Sequence, residues 1–216
     1  DMDFKLSKEQ ELIKKAAQQF ATDTILPLVR QIEEENKIPQ KVWDRLAELG
    51  FLGLPFDKQW GGSEAGYENY VLAQEQISRV SSAVGLAFSV HMMASDVIVY
   101  FGTKEQQEKY LPRMCRGELV PSFAFTEPGT GSDPRQLTTT ATPNGDYVVI
   151  NGTKRFITNA AYQGPIIVFC KNVNTGNVDA YIVDKFCEGY SISSPWEKIG
   201  CHGSPIFDVY FNDVRI

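Results

Sequence analysis

Apolar residues recur at helical spacing through the first half of the chain. Ser7 and Gln10 form a capping-box pattern, and the apolar residues that follow, up to Phe20, fall on one helical face. Pro27 should kink or restart this helix, and the acidic run 33–35 should form a solvated face at its end. Further helices are predicted over residues 40–49, 67–79 and 82–101, with a last one from 103 to a stop by 117.

Near Leu119 the apolar pattern changes from helical spacing to short β-rich runs. Turn signals divide the runs LVPSFAFT, QLTTTAT, DYVVI, TKRFIT, IIVFC, DAYIV, YSIS and FDVYF. The pairs at 144–145 and 151–152 are both Asn-Gly, which is typical of hairpin turns. The chain is therefore predicted to be an α+β protein. An N-terminal all-α helical bundle, residues 1–118, precedes an antiparallel β-sandwich or barrel, residues 119–216.

Composition and charge narrow the possible functions. The 216 residues are 43% hydrophobic, which suits folded cores, and the net charge of −6 counts against a nucleic-acid partner. The longest nearly apolar stretch, residues 83–94, is too short for a membrane span. The four cysteines and two histidines lack the close spacing of zinc ligands, so no metal site is predicted. With no targeting pattern at the N-terminus, a cytoplasmic location is expected, with the mitochondrial matrix as the alternative.

The stretch FTEPGTGSD, residues 125–133, crowds glycines, hydroxyls and carboxylates into one loop after a strand. It is neither a dinucleotide-binding fingerprint nor a phosphate-binding P-loop. Gly129 and Gly131 would let the backbone approach a ligand closely, and Thr126 and Ser132 supply hydroxyl donors. The loop alone is also compatible with a purely structural turn.

Aromatic residues accompany these hydroxyls on two strands. Phe123 and Phe125 alternate along the strand that enters the loop, and GTKRFITNA, residues 152–160, follows a predicted hairpin turn and combines Phe156 with Thr158. Two strands of this kind in one small β-domain suit a planar cofactor with polar edges better than a metal or a catalytic nucleophile.

In this order, and 27 residues apart, FTEPGTGSD and GTKRFITNA resemble the two signature segments of the acyl-CoA dehydrogenases. The likeness extends over nearly the whole chain. LSKEQELIKKAAQQF resembles the family's opening helix, and LAELGFLGLPFDKQWGG the loop after its second helix. FGTKEQQEKYLPRMCRGE resembles the segment that leads into its β-domain, and EKIGCHGSPIFDVYFNDVRI the end of that domain.

The resemblance implies a homotetrameric flavoprotein of fatty acid β-oxidation that converts an acyl-CoA to the trans-2-enoyl-CoA. FAD would lie between the β-domain and a C-terminal four-helix domain, which is missing from these 216 residues and would carry the glutamate that removes the α-proton. Electrons would pass to an electron-transfer flavoprotein. The chain as it stands is then expected to be inactive by itself.

The resemblance also implies which residues bind FAD. They are Phe123, Phe125, Thr126, Gly131, Ser132, Phe156, Ile157 and Thr158. Ser132 would also face the CoA substrate, whereas Glu127 would be structural and not the catalytic base. Fixed hydroxyl donors at the ring would stabilise the negative charge that hydride transfer places on the flavin.

This chain departs from the family pattern at a few positions. Phe156 stands where many members have Trp, Pro134 and Arg135 stand where small or aliphatic residues are usual, and His202 stands where many have Arg. Two alternatives stay open: a two-domain protein that binds flavin or acyl-CoA without turnover, and an acyl-CoA oxidase. The acyl chain and the electron acceptor are not fixed by these residues.

Overall fold

The computed structural model describes residues 5–216. Within this range the helices are α1 (Lys8–Phe20), α2 (Val29–Glu34), α3 (Gln40–Glu48), α4 (Gly66–Val80), α5 (Ser82–Phe101) and α6 (Lys104–Cys115). The strands are β1 (Ser122–Ala124), β2 (Thr140–Asn144), β3 (Tyr147–Thr158), β4 (Pro165–Asn172), β5 (Val178–Asp184), β6 (Tyr190–Ile192) and β7 (Ile206–Arg215). A helical region thus precedes a curled sheet, and the predicted α+β fold class is confirmed.

The helices begin and end where local sequence signals predict. Ser7 and Thr103 each accept a hydrogen bond from the backbone N–H three residues on, and Gln10 and Gln106 return the bond to the cap. Helix α3 is followed at Gly50 by a left-handed residue with φ of 71°, a conformation that glycine adopts without strain. These helices therefore follow from capping and stop residues that are close in sequence.

The chain changes its helical geometry around Pro27. A π-helical turn (Ala21–Ile25) and a 3-10 turn (Leu26–Leu28) separate α1 from α2. Proline lacks the backbone N–H that a continuing α-helix needs. The α-helix therefore restarts at Val29, two residues after Pro27. This confirms the predicted restart.

Helix α5 is the central helix of the molecule. It is 20 residues long, so it exceeds the apolar stretch 83–94 on which the prediction of no membrane span rested. By length and composition alone α5 could cross a membrane, but 56% of its most apolar window is buried inside the protein. It packs against α4, α6 and the sheet. Its apolar surface is thus largely used for internal packing.

The strands form one sheet in the order β1-β4-β2-β3-β7-β6, with β5 also paired to β4. Strands β2–β3, β3–β7, β4–β5 and β6–β7 pair antiparallel. Strands β1 and β2, however, both pair parallel to β4. The sheet is therefore mixed, and the prediction that it is wholly antiparallel was wrong for two pairs. The long β2–β3 hairpin between β1 and β4 supplies the crossover that parallel strands require.

The two Asn-Gly pairs have different outcomes. Asn144 and Gly145 form the predicted hairpin turn between β2 and β3. At Asn151 and Gly152, by contrast, β3 runs straight through with a register shift against β7, so the second predicted hairpin is wrong. A Cβ on Gly152 would lie 2.6 Å from the hydroxyl of Thr139, which shows that glycine is needed there for close approach and not for a turn.

Strands β1 and β2 lie along the same edge of β4. Residues 122–124 pair with 166–168, and residues 140–141 pair with 171–172. The segment 125–139 leaves the sheet between these two pairings and then returns to it. The loop FTEPGTGSD is thus an excursion from an interrupted sheet edge.

The helical region and the sheet share packing and hydrogen bonds. Ile98 of α5, Leu111 of α6 and Ile167 of β4 lie in one buried cluster. Glu33 of α2 accepts hydrogen bonds from the backbone N–H groups of His202 at 2.7 Å and Gly203 at 3.2 Å. The acidic run 33–35 was predicted to be a solvated face, and for Glu33 this was wrong, because its carboxylate joins the two regions.

Candidate functional site

The loop 125–133 begins with a tight turn that its own residues brace. Glu127 and Thr130 exchange backbone hydrogen bonds of 2.8 and 3.2 Å, which places Gly129 at the tip. The hydroxyl of Thr130 donates to the carbonyl of Asp133 at 2.8 Å, and the carboxylate of Asp133 accepts from the backbone N–H of Arg135 at 3.1 Å. The loop conformation is therefore fixed largely from within.

The side chain of Glu127 anchors the return of this loop to the sheet. It is 3% exposed and accepts hydrogen bonds from the ammonium of Lys154 at 2.8 Å, from the N–H and hydroxyl of Thr138 at 2.7 Å each, and from the N–H of Thr139 at 3.0 Å. Burial raises the pKa of Glu127, but these bonds outweigh it and lower the pKa to about 2. A carboxylate engaged in this way is a structural anion and a weak proton acceptor.

The same ion pair joins the loop to β3. Lys154, itself wholly buried, also donates to the carbonyl of Phe125 at 3.1 Å. The next residue, Arg155, donates its backbone N–H to the carbonyl of Thr126 at 2.7 Å. The two stretches that stand out in the sequence, 125–133 and 152–160, therefore lie side by side.

Strand β3 carries a bulge where it meets the loop. The register against β7 shifts between Lys154 and Ile157, and Phe156 within the shift has a φ of 61°. This left-handed conformation is costly for a bulky residue, and such strain is concentrated at functional sites. The ring of Phe156 is 48% exposed, and Trp196 packs edge-on against it with centroids 5.3 Å apart.

A charged pair supports the bulge from the side. The guanidinium of Arg155 donates to both carboxylate oxygens of Asp208, at 3.0 and 3.2 Å, and lies 5.0 Å from the ring centroid of Trp196. The indole N–H of Trp196 donates to the same carboxylate at 3.0 Å. Sequence reasoning missed Trp196 because it lies 40 residues from Phe156 and nothing local marks it.

Three hydroxyls beside the loop and bulge are free. Within residues 5–216 the hydroxyls of Thr126, Ser132 and Thr158 make no hydrogen bond to the protein, whereas those of Thr130 and Thr138 are both bound to the loop. The sequence selected the same three hydroxyls as ligand donors. They remain able to donate to a bound molecule.

The loop glycines leave open space. Neither Gly129 nor Gly131 has a φ in the left-handed region. A Cβ on Gly129 would meet nothing within 4 Å, and one on Gly131 would make an ordinary contact of 3.6 Å with Thr126 Cγ2. The protein's own packing therefore does not require glycine here, which fits the close approach of a ligand.

The remaining predicted site residues differ in what they can offer. Phe123 and Phe125 are both partly exposed and flank Phe169, at centroid distances of 5.0 and 5.4 Å. Ile157 is 2% exposed and packs in the core of the sheet, so only its backbone groups can face a ligand. Phe123, Phe125 and Phe169 therefore form one group of contacting aromatic rings, and the sequence did not indicate Phe169.

Neither histidine lies ready for acid–base catalysis. His91 is fully buried, and its Nε2 donates to the carbonyl of Leu52 at 3.2 Å. Burial lowers the pKa of His91 to about 4, so its ring is neutral near pH 7. The imidazole of His202 is partly exposed, and its Nε2 donates to the carbonyl of Lys198 at 2.7 Å. Both imidazole rings are therefore held by backbone carbonyls.

Comparison with known proteins decides the family. The profile of the acyl-CoA dehydrogenase N-terminal domain matches residues 7–118, and that of the middle domain matches residues 122–214. The chain belongs to the acyl-CoA dehydrogenase family. This is a family of oxidoreductases, and the resemblance read from the two signature segments is thereby confirmed.

Two relatives show the range of the acyl-CoA dehydrogenase family. The chain is 37% identical to the 3-(aryl)acrylate reductase of Clostridium sporogenes, over 97% of the chain and 57% of that protein. It is 32% identical to the short-chain-specific acyl-CoA dehydrogenase of Clostridium acetobutylicum, over 100% of the chain and 58% of that protein. The chain thus spans a little more than half the length of these relatives.

Solved structures of family members have the same fold. A chain in the structure of the electron transferring flavoprotein of Acidaminococcus fermentans has a TM-score of 0.94 at 32% identity, covering 100% of this chain and 58% of that one. The acyl-CoA dehydrogenase of Bacillus anthracis, complexed with FAD, has a TM-score of 0.92 at 30% identity, covering 100% and 37%. FAD is the cofactor of the acyl-CoA dehydrogenase family.

The residues at the site fit a flavin. An isoalloxazine ring has two apolar faces and a polar edge rich in hydrogen-bond acceptors. The exposed ring of Phe156 suits a face, the free hydroxyls of Thr126 and Thr158 suit the edge, and the open space beside Gly131 leaves room for the cofactor to pass the loop.

Proposed function

We propose that the complete protein is an FAD-dependent oxidoreductase that acts on the α,β carbon–carbon bond of an acyl-CoA thioester. The observation that carries this proposal is the meeting of the loop 125–133 with β3 at Thr126 and Arg155, with three free hydroxyls around it. Membership of the acyl-CoA dehydrogenase family supports the same chemistry.

The residues of this chain would bind and orient the cofactor. FAD, when bound, supplies the acceptor for a hydride from the substrate's β-carbon. Thr126 and Thr158 would donate hydrogen bonds to the ring edge where negative charge develops, and neutral hydroxyls would do so without burying a net charge. Phe156 would cover an apolar face, and Ser132 would face the phosphates of the cofactor and the CoA side of the substrate.

The catalytic base is proposed to lie outside residues 1–216. Removal of an α-proton needs a carboxylate free to accept it within hydrogen-bond reach. Glu127 is held by Lys154, and Asp133 is held by Arg135 and Gln136. Both loop carboxylates are thus engaged, and the resemblance to the acyl-CoA dehydrogenases implies that the base is a glutamate in the region by which the relatives are longer than this chain.

The favoured direction is desaturation to the trans-2-enoyl-CoA, with the electrons passed to an electron-transfer flavoprotein. The likeness to a chain in an electron-transferring flavoprotein structure supports this partner. Reduction of an α,β double bond is the second candidate, favoured by the 37% identity to a 3-(aryl)acrylate reductase. A homotetramer and a cytoplasmic location complete the proposal.

Anaerobic half-reactions test the proposal and separate the two directions. The complete gene product, loaded with FAD, is mixed with straight, branched, aromatic and dicarboxylic acyl-CoAs, with free CoA as the control. Bleaching of the visible flavin absorbance by an acyl-CoA supports desaturation. Reoxidation of the chemically reduced protein only by an enoyl-CoA or arylacrylyl thioester supports reduction, and no response to any thioester refutes both.

A further inference from the structure

Lys185 is a buried lysine outside the candidate flavin site. It directly follows β5 and is 4% exposed. Its ammonium nitrogen lies 2.8 Å from the carbonyl oxygen of Val120, 2.8 Å from that of Asn159 and 3.2 Å from the hydroxyl of Ser122. Within residues 5–216 no carboxylate forms an ion pair with it.

The contacts of Lys185 match the chemistry of an ammonium group. An ammonium has three N–H donors and no acceptor, and three oxygens lie within hydrogen-bond distance. Burial without a counter-charge holds the pKa of Lys185 well below its usual range. Burial also lowers the pKa of Lys154, but Lys154 has Glu127 as a counter-charge. Lys185 thus binds its surroundings through directed hydrogen bonds alone.

The three acceptors belong to two segments that end at the candidate flavin site. Val120 and Ser122 lead into β1 and so to the loop that contains Thr126. Asn159 directly follows Thr158 and has a left-handed φ of 65°. Lys185 is bonded to both segments at once.

Asn159 adds a second tie at the same point. Its side-chain amide donates to the carbonyl of Ala87 in α5 at 3.0 Å and to that of Pro121 at 3.3 Å. The amide fixes one side of the residue, and Lys185 holds its carbonyl on the other. Asparagine is one of the few residues besides glycine that adopts the left-handed conformation readily, so the residue type suits this turn, and the bonds from both sides fix its position.

We propose that Lys185 is a positioning residue of the flavin site, which fixes the start of β1 and the turn after Thr158 relative to each other. The inference rests on the proposed function, because the spacing it sets is that of Thr126 and Thr158 on a flavin. Without the ammonium, the Val120 carbonyl and the Ser122 hydroxyl oxygen lose their donor, and the Asn159 carbonyl keeps only the N–H of Tyr162 at 3.1 Å. The segments that carry Thr126 and Thr158 then lose the side chain that joins them.

The test compares FAD binding by three variants of the complete gene product. Lys185→Met removes all three donors at similar length, Ser122→Ala removes one acceptor, and Ile77→Ala in α4 creates a cavity in the helical core as a matched destabilised control. The measurements are the FAD dissociation constant, the visible circular dichroism of the bound flavin and the Tm of the apoprotein.

We expect Lys185→Met to raise the dissociation constant at least about tenfold and to change the flavin dichroism. Ser122→Ala should raise the dissociation constant about threefold. Ile77→Ala should lower Tm without changing the dissociation constant or the flavin dichroism. Unchanged affinity and dichroism in Lys185→Met, or in Ser122→Ala if the first variant does not fold, would overturn the inference.

Failure of the unsubstituted protein to bind FAD would instead refute the proposed function. Lys185 is then tested by hydrogen exchange in the apoprotein. Faster exchange over residues 119–126 and 158–164 in Ser122→Ala or Lys185→Met, but not in Ile77→Ala, supports the proposal that Lys185 joins these two segments. Equal protection in all of them overturns it.

Discussion

Single residues in the loop 125–133 fall into two groups with different tasks. Glu127 and Asp133 bind the backbone and side chains of the loop and its return segment. Thr126 and Ser132 keep their hydroxyls free, and Gly131 keeps space open beside them. The two carboxylates, together with the hydroxyl of Thr130, therefore hold the loop, whereas Thr126, Gly131 and Ser132 are left to bind a ligand.

Replacing Glu127 by Gln should destabilise the fold without abolishing catalysis. Lys154 would remain buried with no counter-charge, so the free energy of unfolding should fall by about 3–5 kcal/mol. Glu34→Gln, at an exposed pair with Arg30, is the matched control and should cost less than about 1 kcal/mol. Chemical denaturation gives both values.

At matched flavin content the complete Glu127→Gln variant should keep a substantial part of its turnover. Near-total loss of turnover would show that Glu127 is catalytic.

The same carboxylate predicts part of the acid sensitivity. Glu127 has a folded pKa of about 2 against a usual value of 4.5. A lowered carboxyl pKa gives stability that is fully present above the unfolded value and is lost as the pH falls from about 4.5 towards 2. Across that window the unmodified protein should lose more stability than Glu127→Gln. Parallel stability curves would contradict this.

Gly131→Ala should separate binding from stability. Its new methyl group makes only an ordinary contact in the protein, so the free energy of unfolding should change by no more than about 0.5–1 kcal/mol. FAD affinity should fall, because the methyl group enters the space assigned to the cofactor. Gly200→Ala, whose new methyl group would meet nothing within 4 Å, should change neither quantity. Calorimetry and flavin titration decide between these outcomes.

Among the elements, the bulged end of β3 is the one shaped most by the site. In a regular strand, side chains alternate between the two faces of the sheet. The extra residue of the bulge turns Phe156 outward, while Lys154 and Ile157 both stay buried. The bulge therefore lets one strand supply a buried cation, a core residue and an exposed ring within four positions.

Backbone strain at Phe156 reverses the usual order of alanine and glycine. Phe156→Gly should be more stable than Phe156→Ala by about 1 kcal/mol, because only glycine adopts the left-handed φ without cost. At Val149, elsewhere in β3, the glycine variant should be the less stable of the two. Denaturant titration of the four variants measures both differences. Phe156→Ala being the more stable would show that the bulge relaxes.

The elements differ in how far sequence alone predicts them. The caps at Ser7 and Thr103 and the stop at Gly50 act within a few residues, so the helices were predictable. The parallel pairing of β1 with β4 depends on partners more than 40 residues apart, and the apolar pattern carries no sign of strand direction. The Asn-Gly pair at 151–152 is typical of a hairpin turn, but Gly152 is needed for the close approach of Thr139, which the pair itself does not reveal.

The candidate site likewise has residues that local motifs indicate and residues that only contacts between distant segments reveal. Its hydroxyls, glycines and first aromatic rings stand in two short motifs, so the sequence indicates them. Lys154 lies inside the second motif, but its pairing with Glu127 is not visible there. Phe169, Trp196 and Lys185 contribute through contacts between distant segments, and no local pattern marks them. The supporting residues therefore emerge only from the fold.

At the scale of the whole molecule, Glu33 ties the helical region to the turn before β7. Glu33→Ala should lower the free energy of unfolding by about 1–2 kcal/mol, because two backbone N–H groups lose their acceptor. It should also speed hydrogen exchange over residues 195–205. Glu35→Ala, in the same run but with only a local contact to Gln31, should do neither. Equal exchange in both variants would show that the tie is not needed.

Loop 125–133 and the end of β3 are proposed to hold FAD together. The most direct measurement is a titration of the complete apoprotein with FAD, followed by visible absorbance, for the unmodified protein and for the double variant Thr126→Val, Thr158→Val. Thr142→Val, on the exposed part of β2, is the control. The unmodified protein and the control should bind FAD with equal affinity, and the double variant at least about tenfold more weakly. No binding by the unmodified protein, or equal binding by the double variant, would contradict the account.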